Sequence, residues 1–221
     1  VLNKSKIIFF TIWLLLLACG PIAVFHNTSI FVLFKSPATV ANIAQRILGL
    51  TAFTMLFIQI LLGSFMPKLI DKFGGWIFSF HIFQGVLIYT LIFLHPLAMV
   101  FHKYFVHQGF DPFYVFTDIC FLCQNSFELL YSLGKLAFWF ITISVLAGLF
   151  RTATPWMRVN WRKLHLLNYV SFMLIAIHSF FLGTDIGTFP FSFIHMPAII
   201  IITCLTVYKL SKYVWATLKT H

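Results

Sequence analysis

Long apolar runs separated by short polar stretches dominate the chain. Six of them approach 20 residues, at about 7–25, 40–66, 76–101, 129–150, 161–182 and 191–215. A helix of about 20 apolar residues crosses the hydrocarbon core of a bilayer. The runs are continuous and do not alternate in ten-residue segments, so helices are predicted in preference to a barrel. Pro67 marks the predicted end of the second run, and the polar stretch HKYFVHQGFDPFYVFTD separates the third from the fourth. The first run is expected to be a true span, because no convincing small-residue cleavage site follows it. The predicted fold class is all-α, a polytopic membrane protein built as a six-transmembrane-helix bundle. Residues 1–39 supply its first helix and an outer loop, residues 40–215 the main domain, and residues 216–221 a cytoplasmic end.

Composition agrees. Of the 221 residues 61% are hydrophobic and 9% charged, against about 25% charged in soluble domains. The net charge of +10 is read as topological, with no nucleic-acid partner, because basic residues collect on the cytoplasmic side of membrane proteins. With the N-terminus inside, the inner side holds Lys4, Lys6, Lys68, Lys72, Arg151, Arg158, Arg162, Lys163, Lys209, Lys212 and Lys219. The outer side holds Lys35, Arg46, Lys103 and Lys135. This asymmetry predicts a multi-pass protein of the cell inner (plasma) membrane with both termini cytoplasmic. Cys19 and Cys204 fall in apolar runs and read as packing residues. Cys120 and Cys123 form a CxxC in a loop, which fits a disulfide or redox pair and is a weak signal alone.

Nine histidines are present. His26, His102, His107 and His195 fall in or near the predicted outer loops, and His221 is the last residue. His81 and His95 lie on the third span, and His165 and His178 on the fifth. Ionisable groups inside a membrane are costly and by default suggest function. Separations of 14 and 13 residues correspond to about 21 and 20 Å of helix. Both spans run inside to outside, so His81 matches His165 in depth near the cytoplasm and His95 matches His178 near the outside. Facing imidazoles at two depths are what two stacked, six-coordinate haems require. The phase fits only the third span. Fourteen steps return to within about 40° of the same face, while 13 miss by about 140°, so the fifth span is expected to need a bend, a distortion or a different approach to each haem. The competing reading is that these histidines cross-link helices or line a proton path.

Neighbouring residues bear on the same site. Gly85, one turn from His81, leaves room for a flat macrocycle or simply for a packed helix. Pro96 removes a backbone N–H directly after His95. Arg162 and Lys163 are positioned to meet haem propionates or only to set topology. Arg46, in ANIAQRILGL at the outer end of the second span, reads as a snorkelling cation or as a cation beside the outer haem, holding a propionate or the electron acceptor. Asp111, Asp118, Glu128 and Asp185, with His102, His107 and His195, form an outer set that either attracts a metal ion or is ordinary solvated loop chemistry.

The histidine pairs, with QRILGLTAFTMLFIQILLGSFMPKL, HIFQGVLIYTLIFLHPL and NWRKLHLLNYVSFMLIAIHSFFLGTDIG, resemble the ferric reductase-like transmembrane domain over roughly residues 40–215. That superfamily includes ferric reductases, NADPH oxidases and the haem-binding membrane subunit of the periplasmic methionine sulfoxide reductase system. The resemblance implies an oxidoreductase component with two b-type haems. Electrons enter from a cytoplasmic flavin, cross the His81/His165 haem, then the His95/His178 haem, and leave to ferric iron, oxygen or an outer redox protein. It also implies that an arginine at the position of Arg46 lies by the outer haem. Phe172 or Tyr169 would shorten the gap between haems or serve only as core. Many members continue after the sixth span into FAD- and NAD(P)H-binding domains. No GxGxxG fingerprint occurs in this sequence, so FAD or FMN and NAD(P)H are expected on a further domain or a partner flavoprotein. Two other readings stay open: a histidine-based proton-relay transporter or channel without haem, and a membrane anchor whose haems only stabilise an assembly.

Overall fold

The computed structural model describes residues 4–218, so Lys219 and the end of the expected cytoplasmic segment lie outside the described residues. The described chain is helical, in the order α1 (Lys4–Asn27), α2 (Pro37–Ser64), α3 (Met66–Phe73), α4 (Trp76–Phe105), α5 (Ser126–Leu149), α6 (Pro155–His165), α7 (Leu167–Leu182) and α8 (Ser192–Leu218), with a 3₁₀ turn at Ile30–Val32. Six stretches are long and apolar enough to cross a membrane, as expected of a multi-pass protein, and α6 with α7 counts as one of them. Lys4, α3 and α6 lie at one end of the bundle, called here the tail end. The connections after α1, α4 and α7 lie at the other, the loop end.

Local chemistry sets the boundaries. Ser36 accepts from the Thr39 amide and Pro37 opens α2, while Thr154 accepts from the Met157 amide and Pro155 opens α6. In both, a side-chain oxygen satisfies an orphan amide and proline supplies the φ of the first turn. Asn125 caps α5 through the Phe127 amide. The second span ends at Ser64, earlier than predicted, because Pro67 starts a new helix: α3 is a short MPKLIDKF segment closed by Gly74 at φ 89°. Met66 and Leu69 of α3 pack under α2 and α4, while Lys68, Asp71 and Lys72 are exposed.

Burial concentrates on α2, where Phe53, Met55, Leu56 and Ile60 meet Ile88, Ile141, Phe172 and Phe191. The other spans turn most of their apolar surface outward. Lipid is as apolar as leucine, so close packing and interhelical hydrogen bonds hold such bundles together. Two helix pairs form most of the frame, α2 on α4 and α5 on α7 and α6. Gly20 lets α1 approach α2, since a Cβ there would lie 3.0 Å from that of Leu50. A buried chain of amides ties α1, α2 and α4: Trp13 Nε1 donates to Gln84 Oε1 (2.6 Å), Gln84 Nε2 to Gln59 Oε1 (2.9 Å), and Gln59 Nε2 to the His81 carbonyl (2.8 Å).

The fifth span is interrupted at Leu166. The Leu166 amide is shared between the carbonyls of Arg162 (3.1 Å) and Lys163 (3.3 Å), and Tyr169 N donates to Leu166 O (3.0 Å). These bonds three residues apart mark a 3₁₀ tightening, which turns the chain by about 120° per residue in place of 100°. The extra rotation acts in the direction that reduces the phase shortfall between His165 and His178. The distortion expected of this span therefore sits immediately after its first histidine.

Candidate functional site

Each of the four membrane histidines packs against a glycine of the preceding span. A Cβ on Gly49 of α2 would lie 2.8 Å from His95 Cε1, and one on Gly63 of α2 would lie 3.3 Å from His81 Cε1. On α5, a Cβ on Gly134 would lie 3.0 Å from His178 Cε1, and one on Gly148 would lie 3.6 Å from His165 Cε1. Gly49 and Gly63 are 14 residues apart, as are Gly134 and Gly148. So α2 and α5 each offer two clearings, each separated by about 21 Å.

The clearings expose hydrogen-bond acceptors. His95 Nδ1 donates to the Gln45 carbonyl (2.8 Å), His178 Nδ1 to that of Leu130 (2.9 Å) and His165 Nδ1 to that of Ser144 (3.0 Å). In all three the acceptor lies four residues before the glycine. A helical carbonyl already bonds the amide four residues on, and its second lone pair is open to a ring only where that later residue has no side chain in the way. A carbonyl can only accept, so Nδ1 carries the proton and Nε2 keeps the lone pair. This is the tautomer in which a metal-ligating histidine is usually held.

His81 departs from the pattern. The residue four before Gly63 is Gln59, whose side-chain amide reaches the His81 carbonyl and lies 3.5 Å from His81 Nε2. The His81 Nδ1 is buried without a hydrogen-bond partner. Gly85, read as room for a macrocycle or for a packed helix, makes room for Gln59 of α2: a Cβ there would meet the Gln59 amide at 3.0 Å. Of the four glycines on α2 and α5, Gly49 and Gly134 also border open space.

His95 and His178 line one cavity of about 580 Å³, which Gly49, Gly134, Phe138 and Arg46 also line. That size is in the range of cofactor and small-molecule sites. The two rings are within electrostatic reach of each other, as are His81 and His165.

Arg46 stands on the cavity wall at the loop end, bound to protein groups. Its Nε donates to Asp185 Oδ2 (2.7 Å), its Nη2 to Asp185 Oδ1, and its Nη1 to Thr28 Oγ1 (2.7 Å). Asp185 is 2% exposed and also accepts from Asn27 (2.8 Å) and Thr184 (3.0 Å). Burial by itself raises the Asp185 carboxyl. The hydrogen bonds from Arg46 and Asn27, the Arg46 charge and the Thr184 hydroxyl more than offset it, and the net shift is downward. A lowered carboxyl stabilises the fold above its unfolded value of about 3.9 and loses that contribution as pH falls through the folded value. Arg46→Leu would leave the carboxylate buried and unpaired, at a cost of about 3–5 kcal/mol. It is expected to lower the thermal midpoint clearly at pH 7 and much less below pH 3; an equal drop at both would refute the pairing as its cause.

The remaining expectations fall out unevenly. Arg162 and Lys163 are exposed on α6, with Arg162 over the Trp161 ring (5.5 Å). The cation that touches the His165 clearing is Arg151, which donates to the Gly148 carbonyl (3.0 Å). Phe172 is fully buried against Phe53 (ring centroids 5.2 Å). Tyr169 meets Ser64 and Lys209, each at 2.6 Å. Among the described residues the outer acidic and histidine residues form no metal-ligating group with one another, although Asp111, Asp118 and Glu128 surround Lys135. His102 is on α4, bound to the Ala38 carbonyl, and His195 is buried on α8 against Ser179 (2.9 Å). Comparison with protein families, with curated proteins and with solved structures finds no match to this chain.

Proposed function

We propose that this protein carries electrons across the membrane through two b-type haems, one held by His81 and His165 and one by His95 and His178. The observation that carries the reading is the repeated clearing: a glycine, a freed carbonyl four residues earlier, and an imidazole held by its Nδ1 so that Nε2 can ligate. A haem iron bound by two histidines exchanges single electrons without a change of ligands. Gln45, Leu130 and Ser144 fix the orientation of three rings. The fourth, His81, is held by its backbone through Gln59. The clearings keep side chains away from the faces where a flat group would lie, and the cavity between His95 and His178 supplies space at the loop end.

The sidedness of charge supports a tail end facing the cytoplasm in a cell membrane. Electrons then enter there from a reduced flavin on a further domain or partner and leave at the loop end. The acceptor class suited to that exit is ferric iron, oxygen or an outer redox protein. Arg46, paired with Asp185 at the cavity wall, is the cation beside that exit. This is the role expected from the resemblance to ferric reductase-like proteins, and it makes the chain the membrane component of an oxidoreductase. The protein purified with haem should show a reduced b-type spectrum with about two haems per chain, because four histidines supply four axial ligands. A folded, colourless protein would refute the reading and favour the proton-relay alternative.

A further inference from the structure

The CFLC stretch lies at the loop end, and Cys120 and Cys123 form a disulfide there. The loop that bears it is laid along α5. Trp139 Nε1 donates to the Phe116 carbonyl (2.8 Å), Lys135 Nζ to the Asp118 carbonyl (3.2 Å), and the Cys120 amide to Ser132 Oγ (2.9 Å). Ser132, Lys135 and Trp139 form one helical stripe and bind alternate loop residues, so the loop runs antiparallel to α5.

The same turns of α5 hold the loop-end histidine. Leu130 accepts from His178 Nδ1, Gly134 clears space for its ring, and Ser132 lies between them. The Cys120 backbone is therefore joined to the His178 ring by two hydrogen bonds and a short piece of α5 backbone. The disulfide is also accessible, with Phe121 and Leu122 between the cysteines 74% and 98% exposed. Glu128, exposed in the first turn of α5, places a carboxylate oxygen within 4.8 Å of both sulfurs. A disulfide in a loop whose central residues are exposed is open to thiol–disulfide exchange with a partner.

We infer that the Cys120–Cys123 disulfide is a further redox centre, accepting electrons from the His95/His178 site and passing them to a protein that carries a disulfide of its own. The inference rests on the electron-transfer reading and names its acceptor class. Reduction would consume two electrons, supplied by a reduced flavin, and two protons, and would convert the S–S bond to two thiols. One thiol then loses its proton to water. The thiolate attacks a sulfur of the partner's disulfide, forming a mixed disulfide and expelling the partner's other sulfur. The second cysteine attacks the mixed bond, the Cys120–Cys123 disulfide re-forms, and the partner leaves as a dithiol with the two protons.

The test uses the full chain loaded with haem, with Cys19→Ser and Cys204→Ser to silence the other thiols. Photoreduced flavin is added without oxygen, and thiols are trapped with a maleimide of high mass while haem absorbance is read on the same sample. Cys120 and Cys123 should be unlabelled before reduction and both labelled after it. The labelling should be lost in His178→Ala or His95→Ala, although the tail-end haem is still reduced. Fully reduced haem beside an intact disulfide overturns the inference and leaves electron transfer standing. Undiminished labelling in both histidine variants overturns it too, since flavin then reduces the disulfide directly. Absence of haem absorbance in the starting protein instead overturns the electron-transfer reading itself.

Discussion

His178→Ala and His95→Ala should each remove half of the b-type absorbance and leave the other half reducible. The reason is geometric. Both rings line the same cavity, and each is fixed by a separate carbonyl, on α5 and α2 respectively. Losing either deprives one iron of an axial ligand, while the tail-end pair lies about 20 Å of helix away. His81→Ala and His165→Ala should remove the complementary half. Adding the two losses in His81→Ala/His178→Ala should leave almost no bound haem, whereas His95→Ala/His178→Ala should lose no more than either change alone. A pyridine haemochrome assay on the four single and two double variants decides it. Retention of both haems in His178→Ala, or equal loss in the two double variants, would overturn the pairing by depth.

Glycine substitutions should give a graded response that follows the clearances. Alanine at Gly49 would put a Cβ 2.8 Å from His95 Cε1 and 3.0 Å from its Nδ1, and at Gly134 it would put one 3.0 Å from both Cε1 and Nδ1 of His178. Neither ring can retreat without leaving its carbonyl, so Gly49→Ala and Gly134→Ala should lose most of the loop-end haem. At Gly148 the nearest ring atoms are 3.6 Å away, an ordinary contact. Gly148→Ala should keep its haem and gain up to about 1 kcal/mol of helix stability, because alanine costs less backbone entropy than glycine. Gly63→Ala, with 3.3 Å to His81 Cε1, should fall between. Haem content and thermal midpoint measured together separate the effects. Full occupancy in Gly49→Ala would mean that the clearings are helix packing only.

The same clearings mark the limit of what could be read in the sequence. The 14-residue spacing of Gly49 and Gly63, and of Gly134 and Gly148, was present in the text and equals that of His81 and His95. It gains meaning only once α2 is known to face α4 and α5 to face α6 and α7. Gly85 was the glycine nearest one of the four membrane histidines in sequence, yet it faces Gln59, because sequence proximity on one helix says nothing about what the neighbouring helix presents. Arg46 was legible as an unusual charge. Its partner Asp185 lies 139 residues away on a loop, which no local pattern connects.

By itself the sequence determined the six apolar stretches, their helical state and the spacing along them of His81 and His95 and of His165 and His178. Backbone amides in lipid have no partner other than the helix, and rise per residue is fixed by helix geometry. Tertiary structure alone decided which nitrogen of the His95, His165 and His178 rings is held, since the acceptors are main-chain carbonyls that any residue possesses. It also decided how the fifth span accommodates a 13-residue interval, by tightening at Leu166, and that the CxxC loop is pinned to the helix that holds His178. These depend on which surfaces meet, and that is set by packing among helices whose apolar faces all look alike in one dimension.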